Sequence, residues 1–408
     1  MRMPLEGYRV LEWAAFQQGP LAAMMLGDLG AEVIKIEERI SGDGQRGVVK
    51  TMGRVGNLTQ MAQRNFYFEH PNRNKKSVTL DLTKPKGKEI IYKLVEKSDV
   101  FLHNFRRGVA KRLSIDYATL SQYNPKLIYA TASGWGPNGP DANRPSFDFT
   151  GMARSGLMTA AAEPGRPPLD IQMGIADHLG GIMTANAVVN ALLMRERWGI
   201  GQEVEASMLG SMVAALGMLV DQKLVTGQEP MKTVRTNAGG NPLWNYYNCK
   251  DDKWILLGML QADRYWPDFC RALGLEHLQN DPKFADVNVR RVNAVELVSI
   301  LDNVFVTRTR DEWMDILSKH GDLLFEPVNT ISDLVEDPQL RANDYIVDFQ
   351  HPNWGKIAML GFPMHFSQAK SSIRMPPPEL GQHTDEVLQN ILGYTREDIA
   401  KLKAEEVV

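Results

Sequence analysis

The segment that decides the fold runs from Tyr8 to Glu37. It opens Tyr8-Arg9-Val10-Leu11-Glu12-Trp13, turns through Phe16-Gln17-Gln18-Gly19-Pro20, and closes Gly30-Ala31-Glu32-Val33-Ile34-Lys35-Ile36-Glu37. Tyr8 to Trp13 reads as a strand, Leu21 to Leu29 as a helix capped by Gly30, and Glu32 to Ile36 as a second strand. Strand, helix and strand within about 30 residues make a βαβ unit, hence a parallel sheet and an α/β domain. Glu37 stands where a dinucleotide-binding fold places its ribose-binding acid. The first turn, however, lacks the three glycines that let backbone approach a pyrophosphate, so a nicotinamide dinucleotide is not expected.

The alternation continues outward. Ser77 to Leu82 reads as a strand, Pro85 and Gly87 open a helix to about Ser98, and Val100 to Leu102 and Leu127 to Thr131 read as strands. Cationic residues collect in the turns after strands, where an open parallel sheet binds ligands. Arg39, Lys75, Arg106 and Arg112 together would hold a phosphorylated ligand by charge-assisted hydrogen bonds. Taken singly, each reads equally well as solvated surface.

A second informative stretch is Leu169 to Met208. Apolar Ile182, Ala185, Val189 and Leu192 predict a helix from about His178 to Arg197, stopped by Gly199 and Gly201, then a strand at Glu203 to Ser207. Asp177 stands at the helix start. One reading is an N-cap. The other is a carboxylate kept ionised by the helix N-terminus and able to attack a carbonyl carbon. Gly180 and Gly181, one turn on, would leave room for a substrate against the backbone.

Thr226 to Gly240 is polar and turn-rich, a candidate lid. Beyond it, strands at Trp244 to Asn248 and Trp254 to Gly258 alternate with helices at Ala262 to Leu273, Asn293 to Val306 and Arg310 to Lys319, a smaller α+β lobe. Two helices, Glu386 to Leu392 and Arg396 to Lys403, close the chain. The 408 residues carry a net charge of −3, which does not suggest nucleic-acid binding. No apolar run reaches the roughly 18 residues that span a membrane, and the N-terminus has no signal-peptide core. A cytoplasmic enzyme is expected. Two cysteines and eight scattered histidines offer no disulfide framework and no metal-ligand spacing, so no metal is expected.

The chain resembles the class III CoA-transferases, the family of formyl-CoA:oxalate and carnitine CoA-transferases. The resemblance runs from Pro4-Leu5-Glu6-Gly7-Tyr8 through Leu29 to Glu37, Gly42-Asp43, Asn74-Lys75-Lys76-Ser77, Asn104-Phe105-Arg106, Gly174-Ile175-Ala176-Asp177 and Gly201-Gln202-Glu203-Val204 to Leu380-Gly381-Gln382-His383-Thr384-Asp385. It implies that Asp177 is the catalytic aspartate, passing through aspartyl anhydride and aspartyl-CoA thioester intermediates, with Gln17 near the thioester. It implies coenzyme A, entering as acyl-CoA, against Gln17, Gln18, Arg39, Asn72, Arg73, Asn74, Lys75, Asn104, Phe105, Arg106 and Arg112. Asn237, Ala238, Gly239 and Gly240 would form the loop over the substrate. The implied architecture is a large Rossmann-like domain from residues 1–200 and 340–408, a linker at 201–225 and a small α+β domain at 226–339. The subunit would be ring-shaped and its homodimer interlocked.

Two departures bear on the substrate. The glycine run near 239 is shorter than in the oxalate enzymes, and Phe149 stands where they carry an acid. Trp135, Phe147, Phe149, Met152 and Met158 would suit a bulky or aromatic acid. An α-methylacyl-CoA racemase is the nearest rival, but Phe147 occupies its histidine position and cannot move a proton. A CoA-binding subunit of a heteromeric transferase is the other alternative.

Overall fold

The structure is a computed structural model describing residues 2–50, 66–171, 174–232, 234–235, 240–352 and 354–408. It divides into two compact units. The first holds Met1–Ala160, Pro168–Gly227 and Arg341–Val408; the second holds Ala161–Pro167 and Gln228–Leu340.

Six strands form the centre of the first unit: β1 (Arg9–Trp13), β2 (Glu32–Glu37), β3 (Lys75–Thr79), β4 (Val100–His103), β5 (Ile128–Ser133) and β6 (Gln202–Ser207). Their order is β3-β2-β1-β4-β5-β6, and every neighbouring pair is parallel. The chain builds outward from β1 to β3, then returns to β1's other side as β4. The switch point between β1 and β4 leaves a crevice beyond their C-terminal ends. In chain order the helices of this part are α1 (Gln18–Asp28), α2 (Phe66–Asn72), α3 (Pro85–Glu96), α4 (Arg107–Leu113), α5 (Tyr117–Leu120), α6 (Asp148–Ser155), α7 (Leu157–Ala160), α8 (Ile175–Trp198), α9 (Met208–Ala215) and α10 (Gly217–Thr226). The stretch expected as a linker, 201–225, is therefore an edge strand and two helices of the large unit.

Both faces of the sheet are covered, which is why its strands are apolar on both sides. On one face Leu11, Ile34, Val78, Phe101 and Tyr129 pack with α3 and with the C-terminal residues Val387, Leu388, Ile399, Val407 and Val408. On the other, Val10, Val33, Val100, Leu102 and Ile128 pack with α1 and α8. The buried stripe of α8 is Ala176, Gly180, Gly181, Thr184, Ala185, Val188, Ala191 and Leu192. Ile182 and Val189, expected on that stripe, are exposed instead. Helical spacing alone does not tell which face goes inward when both faces carry apolar residues.

A buried charge network ties three strands together. Lys35 Nζ lies 2.8 Å from Glu12 Oε1 and 3.0 Å from Asp43 Oδ2, and Lys75 Nζ lies 2.6 Å from Glu12 Oε2, all four side chains fully buried. Lys35 also donates to the Ala14 carbonyl and Lys75 to the Pro20 carbonyl, both at 2.8 Å. This explains why β3 starts at Lys75 rather than Ser77. The residue holds a strand position beside Val33, with its ammonium neutralised inside the domain.

The second unit carries an antiparallel sheet of β7 (Trp244–Asn248), β8 (Trp254–Gly258) and β9 (Phe325–Val328). Its helices are α11 (Ala262–Leu273), α12 (Val287–Val292), α13 (Ala294–Phe305), α14 (Arg310–Ser318) and α15 (Ile331–Glu336), with α16 (Pro338–Ala342) leading out. Tyr247, Ile255, Leu257, Trp266, Phe269, Phe305 and Trp313 make its core. Back in the first unit come the hairpin β10 (Ile346–His351) and β11 (Gly355–Leu360), then α17 (Thr384–Leu392) and α18 (Arg396–Ala404).

Replacing Glu12 by Gln would leave two buried ammonium groups sharing the single carboxylate of Asp43. We expect Glu12→Gln to lower unfolding free energy by about 3–5 kcal/mol, read as a fall in the urea midpoint.

Candidate active site

The turn after β1 is the first part of the site. Phe16 adopts a left-handed backbone (φ 65°), rare for a residue with a side chain. Its N–H donates to Asp43 Oδ1 at 3.1 Å, so the charge network holds this turn. Asn104, after β4, brackets Ala15: its Oδ1 accepts from the Ala15 N–H at 3.0 Å and its Nδ2 donates to the Ala15 carbonyl at 2.7 Å. A Cβ on Gly19 would stand 2.7 Å from that of Ala14 and 3.2 Å from that of Asn104, which only glycine permits.

α8 brings Asp177 to this turn. The N-cap of α8 is Gly174, in a left-handed conformation, and Asp177 is the third helical residue. The N-cap reading of Asp177 is thus corrected; its carboxyl caps no N–H among the described residues. The room expected at Gly180 and Gly181 is filled. A Cβ on Gly180 would lie 2.6 Å from Gln18 Nε2, and one on Gly181 would lie 2.8 Å from the Gln18 carbonyl oxygen. The two glycines let α1 and α8 touch, and Gln18 reaches across to donate to the Ser133 carbonyl at 3.1 Å.

α6 supplies the neighbour that the sequence did not reveal. Asp148 Oδ1 accepts from the Asp177 backbone N–H at 3.0 Å. Adjacent Phe147 sets its ring edge-on to Phe16, centroids 5.7 Å apart. No side-chain hydrogen bond or ion pair engages the Asp177 carboxyl among the described residues. Burial, and next the Asp148 charge, push its pKa up to about 7. Desolvation and a neighbouring carboxylate thus act against the helix N-terminus, which favours the charged form. His178, the next residue, stacks on His70 of α2 at 5.4 Å. Burial and the facing His178 push His70 down to about 4, leaving a neutral imidazole. Asp148 and His70 were illegible because 29 and 107 residues of chain separate them from Asp177, with no local pattern to link them.

The residues expected to bind coenzyme A fall into two groups. Asn72, Arg73, Asn74 and Lys75 are buried, and their side chains serve the fold. Asn72 bonds Phe68 and Lys75; Arg73 forks onto Asp28 and reaches the Leu360 carbonyl; Asn74 bonds Asp28, Ser372 and the N–H groups of Arg374 and Met375. Lys75, buried against Glu12, cannot join a surface phosphate cluster. Gln18 and Asn104 are engaged as described, and Phe105 packs on Trp13 at 4.2 Å. The rest face outward. Gln17 donates to the Tyr67 carbonyl at 2.8 Å, Arg39 pairs at 3.2 Å with exposed Glu406, and Arg106 and Arg112 are exposed with no ion pair among the described residues. Met152, expected beside the substrate, is buried in a cluster with Ala176, Met208 and Met212. Phe147 is 63% exposed and Phe149 52%. Asn237, Ala238 and Gly239 lie outside the described residues. Gly240 precedes Asn241, which accepts from the Leu243 N–H and donates to the Met259 carbonyl in the second unit. Among the described residues no group of acidic, histidine or cysteine side chains could hold a metal ion.

The fold and site define a doubly wound α/β protein with an unpaired, partly desolvated carboxyl beside its switch-point turn. The chain belongs to CoA-transferase family III, whose sequence model matches residues 5–384. It is 32% identical over 407 residues, the whole of both chains, to (R)-2-hydroxy-4-methylpentanoate CoA-transferase of Clostridioides difficile. It is 33% identical to cinnamoyl-CoA:phenyllactate CoA-transferase of Clostridium sporogenes, over 97% of this chain and 95% of that one. The crystal structure of a CAIB/BAIF family protein from Brucella suis superposes with a TM-score of 0.85 at 29% identity, over 96% of this chain and 100% of that one.

Folding raises the proton affinity of Asp177. Its stabilising contribution is therefore complete below about pH 4 and lost as pH rises through about 7. Asn carries no such loss. Asp177→Asn is expected to unfold at a higher urea midpoint than wild type at pH 8, by up to about 4 kcal/mol at full burial and less with residual solvent contact. The gap should narrow to less than about half by pH 5 and close only near pH 3, below the unfolded pKa; a gap equal at pH 5 and pH 8 would refute the raised proton affinity.

Proposed function

We propose that the chain moves coenzyme A from an acyl-CoA to a free carboxylic acid through covalent intermediates on Asp177. The observation that carries this reading is a carboxyl held, among the described residues, without a side-chain partner, next to the turn after β1. The Asp177 carboxylate attacks the thioester carbonyl and expels CoA thiolate, leaving an aspartyl–acyl anhydride. The thiolate then attacks the aspartyl carbonyl, forming an aspartyl-CoA thioester and releasing the first acid. An acceptor carboxylate displaces the thiolate to form a second anhydride. The thiolate attacks the acceptor's acyl carbon, giving the new acyl-CoA and restoring Asp177. A carboxylate that titrates near neutrality is more basic, and so more nucleophilic, than a solvated one, yet still substantially ionised at working pH.

Exposed Arg106 and Arg112 would meet the phosphates of coenzyme A, with Arg39 joining when it leaves Glu406. The acceptor we favour is a bulky or aromatic acid. Phe147 and Phe16 offer two exposed rings beside Asp148, which touches the Asp177 backbone. Relatives named for phenyllactate and for 2-hydroxy-4-methylpentanoate agree with that preference. We also propose a homodimer. Ile182, Met183, Val189, Leu193 and Met194 form an exposed apolar face on α8, and Met218, Leu224 and Val225 extend from α10, more than a monomer usually leaves in water.

A CoA-exchange assay with a panel of acyl-CoA donors and free acids tests the reaction. We expect Asp177→Ala to lose at least about 10³-fold in transfer and to show no CoA-mass adduct by intact mass spectrometry. Transfer that survives the substitution would refute the mechanism. Exchange of an α-proton without transfer would point to racemase chemistry instead. Within the panel, Phe147→Ala should raise KM for phenyl-bearing acids several-fold relative to oxalate, since a buried aromatic contact contributes about 0.5–1.5 kcal/mol. Faster transfer to oxalate than to any larger acid would overturn the preference.

A further inference from the structure

Asp148 has no place in the covalent sequence above, yet it makes the one side-chain hydrogen bond to Asp177 among the described residues, through the backbone N–H. It stands in the first turn of α6, where the unpaired N–H groups and the dipole favour an anion. α6 is held firmly there. A Cβ on Gly151 would lie 3.1 Å from that of Ala176 and 3.3 Å from that of Met208, so α6, α8 and α9 are packed backbone to backbone. Near Asp177, α8 offers His178 and α2 offers His70, both with depressed proton affinity; α6 offers Asp148 at its start; α1 offers the uncharged Gln18, and α9 the uncharged Met208, Ser211 and Met212. No cation among the described residues bonds either carboxylate.

We propose that Asp148 is a positioning residue that fixes the backbone of Asp177 and strengthens it as a nucleophile by holding an uncompensated negative charge beside it. This rests on Asp177 being the attacking group. Two neighbouring carboxylates repel while both are ionised. When Asp177 forms its anhydride, the new C–O bond takes its charge and the broken C–S bond delivers that charge to the departing thiolate. The repulsion is thereby relieved as the reaction proceeds, favouring attack. The same repulsion lifts the proton affinity of Asp177, so the effect is readable without any substrate.

The test is a double-mutant cycle of wild type, Asp148→Asn, Asp177→Asn and the double variant, unfolded in urea at pH 5 and pH 8. The Asn side chain keeps an oxygen for the Asp177 N–H and removes only the charge. We expect the pH 8 gain from Asp177→Asn to be smaller, by about a third or more, when position 148 is already Asn. An equal gain in both backgrounds overturns the proposal. Because this needs no acyl-CoA, its failure is distinct from a failure of CoA transfer. In the transfer assay, with the fastest donor of the panel, the acid limb of Asp148→Asn should move to lower pH and its plateau should fall about threefold per unit of lowered proton affinity, the dependence known for thiolate attack. Asp148→Ala, which also frees the N–H, should fall further in kcat with KM little changed. An unmoved acid limb and plateau would overturn the proposal. Should Asp148→Asn fail to fold, Asp148→Ser carries both measurements, keeping an acceptor without the charge.

Discussion

The site depends first on a set of charges that never meets solvent. Glu12, Lys35, Asp43 and Lys75 lie inside the first unit with no exposed side-chain surface. Burying four ions carries a large desolvation penalty, offset only where each has close partners. Here the partners are also backbone groups of the turn that matters. Lys35 holds the Ala14 carbonyl, Asp43 the Phe16 N–H, and Lys75 the Pro20 carbonyl. The network therefore fixes the chain from the end of β1 into α1, and it stabilises a left-handed Phe16 that local propensity would reject. A hydrophobic replacement could be as stable, but it would not pin those three backbone groups.

That network also explains where sequence reading stopped. The βαβ unit at residues 8–37 was legible because period and punctuation are local, and so was the α+β lobe, whose strands at 244–248 and 254–258 fall at the expected residues. The cationic turn at Asn72 to Lys75 was not. A lysine after a loop reads as a ligand for phosphate. Whether its ammonium faces water or a buried glutamate depends on Glu12, 63 positions away in the chain. Arg73 and Asn74 misled in the same manner, their partner being Asp28. Arg106 and Arg112, by contrast, remain exposed, as both a phosphate ligand and a solvated surface residue would be.

Asp177 shows a subtler limit. Its position in the first helical turn was readable to within three residues, and a helix N-terminus does favour a negative charge there. The dipole is one influence among three. Desolvation acts against the charge, and a second carboxylate, supplied by α6, acts with it. Neither is visible without the fold. The outcome is a group whose charged form is held at higher energy than a surface aspartate's, while its backbone is clamped.

The composition of α8 reconciles these demands. A helix end can bring a carboxyl to a βα turn only if the helix comes unusually close to the neighbouring helix, and side chains on that face would hold it off. α8 carries Ala176, Gly180, Gly181, Thr184 and Ala185 inward, so α1 approaches until Gln18 occupies the volume above Gly180. Its large apolar residues are displaced to the opposite side, where Ile182, Met183, Val189, Leu193 and Met194 face outward. Helix propensity opposes two adjacent glycines by roughly 1 kcal/mol each. Tertiary packing overrides it because the interhelical distance, and with it the reach of Asp177, is set by those two missing side chains.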